Sequence, residues 1–428
     1  MLSRKYCGRV LYQSVGWDLS AAKGETAVIG VSGSKGTQSD TTEVDVYKVD
    51  LASASSGWID SFAAVGGVSD DTSDFFGFAL DFASDVDGDG YADLAVGAPG
   101  ATPVGSEFSA GRAFIYSGPF PDARDLAAYD AVLDGYGLMN QFGAEVSALP
   151  DIDGDGDDEL LVGTYANSNY AHMAQLFLGP LISESRLEAD ASYERAYTSS
   201  GDNLEVADMD GDGVAEILNL DESLDVDTAG GVVFIVPSDL RGTIDLNDQM
   251  GVFGEEDRKI YGSFHGLATG DATGDGYDDI VVQVLDRRSG SYLMTVLQFA
   301  GPITSSVTLD AAAAEVTVWS ELESISPRVV GDVDGDGHSG DVVVGLNHSG
   351  AVFLLPRPLT GALTLTDADV IVRGEPYTDT LGDMFGFSLA PLPDLDGDGA
   401  DELLIAAPRN DEGGTDAGAV YLLYGASW

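Results

Sequence analysis

A nine-residue acidic loop, returning six times at a nearly constant interval, constrains this chain more than any other feature. Asp85-Val86-Asp87-Gly88-Asp89-Gly90-Tyr91-Ala92-Asp93 puts carboxylates at positions 1, 3, 5 and 9 and glycines at 4 and 6. The apolar run Leu94-Ala95-Val96-Gly97 follows at once. The pattern recurs at Asp151, Asp153, Asp155 and Glu159, at Asp208, Asp210, Asp212 and Glu216, and at Asp271, Thr273, Asp275 and Asp279. It recurs again at Asp332, Asp334 and Asp336, and at Asp394, Asp396, Asp398 and Glu402. Loop starts are 66, 57, 63, 61 and 62 residues apart, and each loop leads into a short apolar run that reads as a buried strand. Self-similarity at such a period marks a repeat architecture, in which each unit buries its apolar surface against its neighbours.

The chemistry of the loop is that of a hard-cation site. Alternate side chains in a tight turn converge, the glycines supply left-handed turns, and anionic oxygens joined by a backbone carbonyl suit an ion of Ca²⁺ size. Position 7 supplies that carbonyl: Tyr91, Asp157, Val214, Tyr277, His338 and Ala400. The loop resembles the first half of an EF-hand, but it closes at position 9 and enters a strand rather than a helix. About six Ca²⁺ sites are expected. The Asp271 loop is the weakest, because Thr273 removes one carboxylate, and the Asp332 loop is one residue longer, so Asp341 closes it. The expected role of the metal is structural, offsetting repulsion among the carboxylates.

Each period repeats the same parts. Phe-Gly (Phe76-Gly77, Phe142-Gly143, Phe385-Gly386) precedes a first strand, and the loop and its apolar run give a second. Runs such as Arg112–Tyr116, Leu293–Phe299 and Val420–Tyr424 give a third, and segments such as Ala131–Asp134 and Val370–Arg373 a fourth. Residues 18–30 overlay residues 85–97, with Asp18 on Asp85, Ser20 and Ala22 in place of the second and third carboxylates and Lys23 adding a positive charge, so a seventh copy that binds no calcium is expected. Four short strands per repeat without amphipathic helices predict an all-β fold: a seven-bladed β-propeller of four-stranded antiparallel blades carrying calcium loops. The blades are expected over 1–67, 68–135, 136–198, 199–256, 257–321, 322–375 and 376–428 of a single domain. The last blade lacks its fourth strand. That strand is expected from upstream of a truncated N-terminus, the alternative being a stunted strand within Met1–Cys7.

Phe76-Gly77, the Asp85–Asp93 loop and Gly97-Ala98-Pro99 together resemble the FG-GAP repeat, the blade of the integrin alpha-subunit propeller, and Phe385-Gly386 with Ala406-Ala407-Pro408 matches nearly as well. The resemblance covers almost the whole chain. It implies Ca²⁺ on one face of the propeller, at the six loops named above. The repeats around 208 and 332 lack Phe-Gly, and the acidic loops outnumber those expected of an integrin. A bacterial or archaeal FG-GAP protein is the nearer likeness.

Charge and composition narrow the function. The net charge is −54, and six divalent ions would bring it only to about −42, which argues against nucleic acid and anionic membrane as partners. No apolar run is long enough to span a bilayer. A single cysteine, Cys7, excludes an intrachain disulfide, so packing and metal must provide stability. The four histidines are scattered, and no nucleophile elbow or phosphate loop is present. These features point to a secreted or cell-surface calcium-binding module for adhesion or interaction with a protein or glycan, monomeric or part of a longer chain. The alternative is a carbohydrate-active enzyme, a polysaccharide lyase or hydrolase, on the same scaffold.

Overall fold

The computed structural model describes residues 74–82, 85–106, 108–120, 129–164, 172–182, 188–194, 204–221, 232–253, 258–260, 266–286, 293–318, 325–374, 382–394, 396–412 and 415–425. Ahead of these it describes strand backbone at 4–7, 19–23, 27–34, 42–49, 57–58 and 63–66.

The strands pair into seven sheets. Six of them are described with side chains and are blades of an all-β propeller. That is one fewer than expected, because the first repeat is described through the backbone of Leu19–Lys23, Ala27–Ser34, Thr42–Val49 and Ala63–Gly66 alone. In that repeat the overlay with residue 85 also shifts. Leu19–Lys23 is itself a strand, with Lys23 opposite Ala27, so three residues join the two strands where a nine-residue loop was expected.

The innermost strands follow one another around the ring. Leu80–Phe82 lies against Phe142–Leu149, then come Leu204–Ala207, Leu267–Gly270, Ile325–Val330 and Leu389–Leu392. Leu19–Lys23 touches both Leu389–Leu392 and Leu80–Phe82. Alternation along each strand sends side chains to opposite faces, and both faces are covered. Leu94, Val96, Phe114 and Tyr116 enter one core cluster. Ala95, Ala113 and Ile115 enter another, which is shared with Phe142, Leu160, Val162 and Phe177 of the next blade. This explains the continuous apolar runs, such as Leu94–Ala98, that are buried along their whole length.

The Phe-Gly and Gly-Ala-Pro segments are the joints between blades. The residue before each Phe takes a left-handed turn (Phe75 φ 52°, Gln141 φ 53°, Met384 φ 57°), which aims the phenyl ring inward. Each ring then meets an aromatic of its own third strand: Phe76 on Phe114 at 5.5 Å, Phe142 on Phe177 at 5.9 Å, Phe385 on Tyr421 at 5.1 Å, all edge-on. Gly97 lets the next blade's backbone approach, since a Cβ there would run into the carbonyl of Gly143. Gly345 and Gly386 repeat the contact one seam before the last blade.

The blades are not all four-stranded and antiparallel. The four-stranded sheets are those ending in Ala131–Asp134, in Val370–Arg373 and in Ala63–Gly66. Elsewhere a segment of the following blade runs parallel to the outer strand of the preceding one: Gly242–Asp245 beside Ala191–Glu194, Val307–Thr308 beside Met250–Phe253, Gly361–Thr364 beside Ala314–Val318, and Gly57–Trp58 beside Arg4–Cys7. These extended stretches fill backbone hydrogen bonds that an outermost strand would otherwise leave to water. The last blade also departs from expectation. Arg4–Cys7 pairs antiparallel with Ala419–Leu423 in the fourth position, so the strand assigned to upstream residues is supplied by the chain's own N-terminal segment, the reading placed second above.

Candidate metal centres

Each acidic loop joins the first strand of a blade to the second, and its closing carboxylate begins or immediately precedes the buried second strand. Glu159, Glu216, Asp279, Asp341 and Glu402 are each the first residue of that strand. Strand geometry therefore turns them inward: Asp93, Asp279 and Glu402 are fully buried, and Glu159 is 1% exposed.

The loops share one wiring. In the first, the Asp85 carboxylate accepts the amides of Asp89 (2.8 Å) and Gly90 (2.7 Å). Asp93 accepts those of Val86 (3.0 Å), Asp87 (3.2 Å) and Gly118 (2.9 Å). The position-5 carboxylate accepts the position-7 amide in all six: Asp89 from Tyr91, Asp155 from Asp157, Asp212 from Val214, Asp275 from Tyr277, Asp336 from His338, and Asp398 from Ala400. Local turns of this kind hold the position-1, -3 and -5 side chains on one side of the loop.

Five loops bring three carboxylates together with ligand oxygens within 4.8 Å of one another. Positions 1, 3 and 9 meet in Asp85-Asp87-Asp93, Asp151-Asp153-Glu159, Asp208-Asp210-Glu216 and Asp394-Asp396-Glu402. In the longer loop the group is Asp332-Asp334-Asp336. Asp341 is not part of that group, though it accepts the Val333 amide (2.9 Å) as Asp93 accepts that of Val86. The Asp271 loop forms no carboxylate triple among the described residues. Thr273 stands at position 3 with its Oγ1 buried and without a hydrogen-bond partner.

The electrostatics fit a cation. Burial pushes the Asp93 carboxyl up to about 7, and Asp87, Asp89 and Asp85 add to the effect. Burial does the same to Glu159 and Glu216, both raised to about 7, and to Asp341, raised to about 6, each with loop neighbours contributing. Asp279 is also raised, by burial first. Inside the second cluster, Glu159 Oε2 is buried and has no hydrogen-bond partner. A buried acceptor left unmatched costs free energy, and a Ca²⁺ ion supplies the missing partner and the missing charge. The residues present therefore fit the ion.

Three carboxylates outside the expected ligand sets emerge only from the geometry. Asp158, Asp278 and Asp401 stand at position 8 of alternate loops and accept the amides of Asp85 (2.9 Å), Asp208 (2.9 Å) and Asp332 (3.1 Å) in the preceding blade. Their signal in the sequence is an aspartate at position 8 of every second loop, where Ala92, Ala215 and Ser339 stand in the others. A further set of exposed apolar side chains, Phe75, Val104, Phe108, Tyr136, Leu138 and Met139, lies on turns of the second and third repeats, where the Met139 amide donates to the Phe108 carbonyl.

The FG-GAP repeat family model matches residues 76–116, 142–177 and 385–423. This chain carries FG-GAP repeats. The matched segments are the blades in which Phe-Gly seats on a third-strand aromatic. The chain is 32% identical over 122 residues to integrin alpha-PS2 of Drosophila melanogaster, a match covering 27% of this chain and 9% of that protein. Among solved structures it is similar to the Dos1 propeller (TM-score 0.49, 8% identity, 99% of this chain and 86% of that one). It is also similar to a chain of the outer coat vertex of COPII on membranes (TM-score 0.49, 7% identity, 98% and 85%). No helix among the described residues is long and apolar enough to cross a membrane.

Proposed function

We propose that this FG-GAP propeller is a calcium-stabilised interaction module, closed as a ring of seven blades, that presents its surface to a protein ligand outside the cell or at the cell surface. The observation that carries the reading is the set of buried, charge-crowded carboxylates closing the acidic loops, with Glu159 Oε2 unmatched. Such groups raise the cost of folding unless a cation is bound. The ligands would be the position-1, -3, -5 and -9 side chains and the position-7 carbonyls, with Thr273 and Asp341 completing the two irregular loops. Contacts of Leu19–Lys23 with the blades on either side support closure through the first repeat. The integrin relative supports a protein ligand and an extracellular setting.

Thermal unfolding with and without calcium tests the reading. With a dissociation constant near 0.1 mM, each site at 1 mM free Ca²⁺ stabilises by about 1.4 kcal/mol, so five loops give about 7 kcal/mol. For a chain of this length that corresponds to roughly 8 °C in Tm. Expected are five or six bound ions and a rise of this order, together with binding to an immobilised extracellular protein that chelator abolishes. An unchanged Tm with no bound calcium, or cleavage of a polysaccharide, overturns the proposal.

A further inference from the structure

The acidic loops are not evenly connected around the ring. Asp158 uses one carboxylate oxygen to accept the amide of Asp151, the first ligand of its own loop (2.8 Å). The other oxygen accepts the amide of Asp85, the first ligand of the preceding loop (2.9 Å). Asp401 does the same for Asp394 (2.8 Å) and Asp332 (3.1 Å). Backbone bonds reinforce the pairing, with the Asp158 amide donating to the Asp85 carbonyl (3.0 Å) and the Asp401 amide to the Asp332 carbonyl (2.7 Å). Asp278 accepts from Asp208 (2.9 Å), and Leu181 and Ile303 reach back to the carbonyls of Val86 and Met209, both at 2.7 Å. The loops are also in contact. Gly88 lies against the Asp157 carboxylate, and Gly211 against the Tyr277 ring. Where Ala215 or Ser339 occupies position 8, no such carboxylate among the described residues joins the loop to its predecessor, although Gly340 lies against the Asp271 carbonyl.

We propose that four of the acidic loops bind calcium as two coupled pairs, Asp85 with Asp151 and Asp332 with Asp394, and that Asp158 and Asp401, each bonded to the first ligand of both loops, are the positioning residues that couple them. The inference rests on the reading of these loops as calcium sites, which the unmatched, buried Glu159 Oε2 supports independently of the pairing. Filling one loop fixes its first residue, and with it the shared carboxylate that orients the first residue of the other. The second ion then meets a loop whose ordering cost is already reduced, which is positive coupling without a change of fold. Repulsion between the two ions acts in the opposite direction but is screened by salt. The thermodynamic consequence is reciprocal: each loop of a pair strengthens the other by the same factor, at least about fivefold.

Calcium isotherms of the full chain, measured by equilibrium dialysis, decide the matter. Asp87→Ala disables the first loop. It is expected to remove one site and to weaken a second at least fivefold, leaving four unchanged. Asp87→Ala with Asp153→Ala, within one pair, removes two sites and leaves four titrating as in the wild type. Asp87→Ala with Asp334→Ala, in different pairs, removes two and weakens two more. Asp158→Asn keeps the wild-type number of sites and weakens two, including the Asp85 loop in the other blade, whose ligands are all intact. Loss of one site per substitution with the rest unmoved overturns the coupling while leaving the calcium reading in place. A wild-type chain that binds no calcium overturns both. If Asp158→Asn fails to fold, the single and paired ligand substitutions still decide between the outcomes.

Discussion

The seam between the second and third repeats makes a sharp test of how these blades are held together. A Cβ built at Gly97 would overlap the carbonyl oxygen of Gly143, lie 3.0 Å from its carbonyl carbon and 3.4 Å from the Ala79 Cβ. The obstacle is backbone, so it cannot rotate away, and overpacking of this kind costs about 1–3 kcal/mol. Moving the strand also strains the bonds from the Gly77 amide to the Gly97 carbonyl (2.8 Å) and from the Gly97 amide to the Ala79 carbonyl (2.9 Å), about 1 kcal/mol between them. Gly97 is not among the glycines with positive φ, so alanine recovers about 0.5–1 kcal/mol through a less flexible unfolded chain. The net cost of Gly97→Ala is about 2–3 kcal/mol. Unfolding entropy for a chain of 428 residues is on the order of 0.9 kcal/mol/K, so the expected fall in Tm is about 2–3 °C. Gly345→Ala meets the backbone of Gly386 in the same way, and the two seams are distant enough for their costs to add, giving about 5 °C in the double variant. Calorimetry in excess chelator removes any contribution from metal. A Tm within 0.5 °C of wild type for Gly97→Ala refutes the argument that this glycine exists for the close approach of the next blade.

Glu159→Gln is expected to change sign with calcium: neutral or stabilising by about 1 kcal/mol in chelator, where it removes a buried, crowded charge, and destabilising by a similar amount in millimolar calcium; denaturant titrations under the two conditions check it, and a loss of stability in both would refute it. Phe385→Ala empties the space beside Tyr421 and is expected to cost about 3–5 kcal/mol by the same measurement. Glu205 gives a pH signature away from the loops. Burial raises its carboxyl to about 7, Arg328 opposes the shift and Asp81 adds to it. The folded state therefore holds a proton that the unfolded chain releases near its ordinary value, so the contribution is full below about 4.5 and is lost as pH rises toward 7, about 3 kcal/mol. Glu205→Gln should flatten that part of the stability profile in chelator, and an unchanged slope would refute the assignment.

The loops and their following strands were legible because each combines two strong signals, a fixed carboxylate spacing and an apolar run. Wherever both are present, as at Asp85–Asp93 with Leu94–Ala98, the expected strand forms. The first repeat was misaligned because Ala27-Val28-Ile29-Gly30 anchors the overlay while nothing upstream marks where its first strand ends. Leu19–Lys23 has too little apolar alternation to announce itself. The closing strand Arg4–Cys7 is four residues with two cationic side chains, and what specifies it is its pairing with Ala419–Leu423 on one side and Gly57–Trp58 on the other. Parallel additions such as Gly242–Asp245 were invisible for a related reason. They are short, mix glycine, polar and apolar residues without a strand period, and what makes them strands is hydrogen bonding to a blade about 50 residues earlier. Asp158, Asp278 and Asp401 were in plain view, but an acidic residue inside an acidic loop has no sequence mark that says whether it faces the ion or the neighbouring blade.

Those parallel additions also bear on how the protein survives at high concentration. The outer strand of a blade offers a row of unpaired amides and carbonyls, the template from which sheets grow between molecules. Here four of those rows are taken up by the next blade of the same chain before another molecule can reach them. A strong negative charge slows encounters between copies only while salt is low. Edge pairing, being a matter of hydrogen bonds, does not weaken in this way. At those blades the outer row stays taken up in brine as well as in fresh water, by geometry where charge no longer acts.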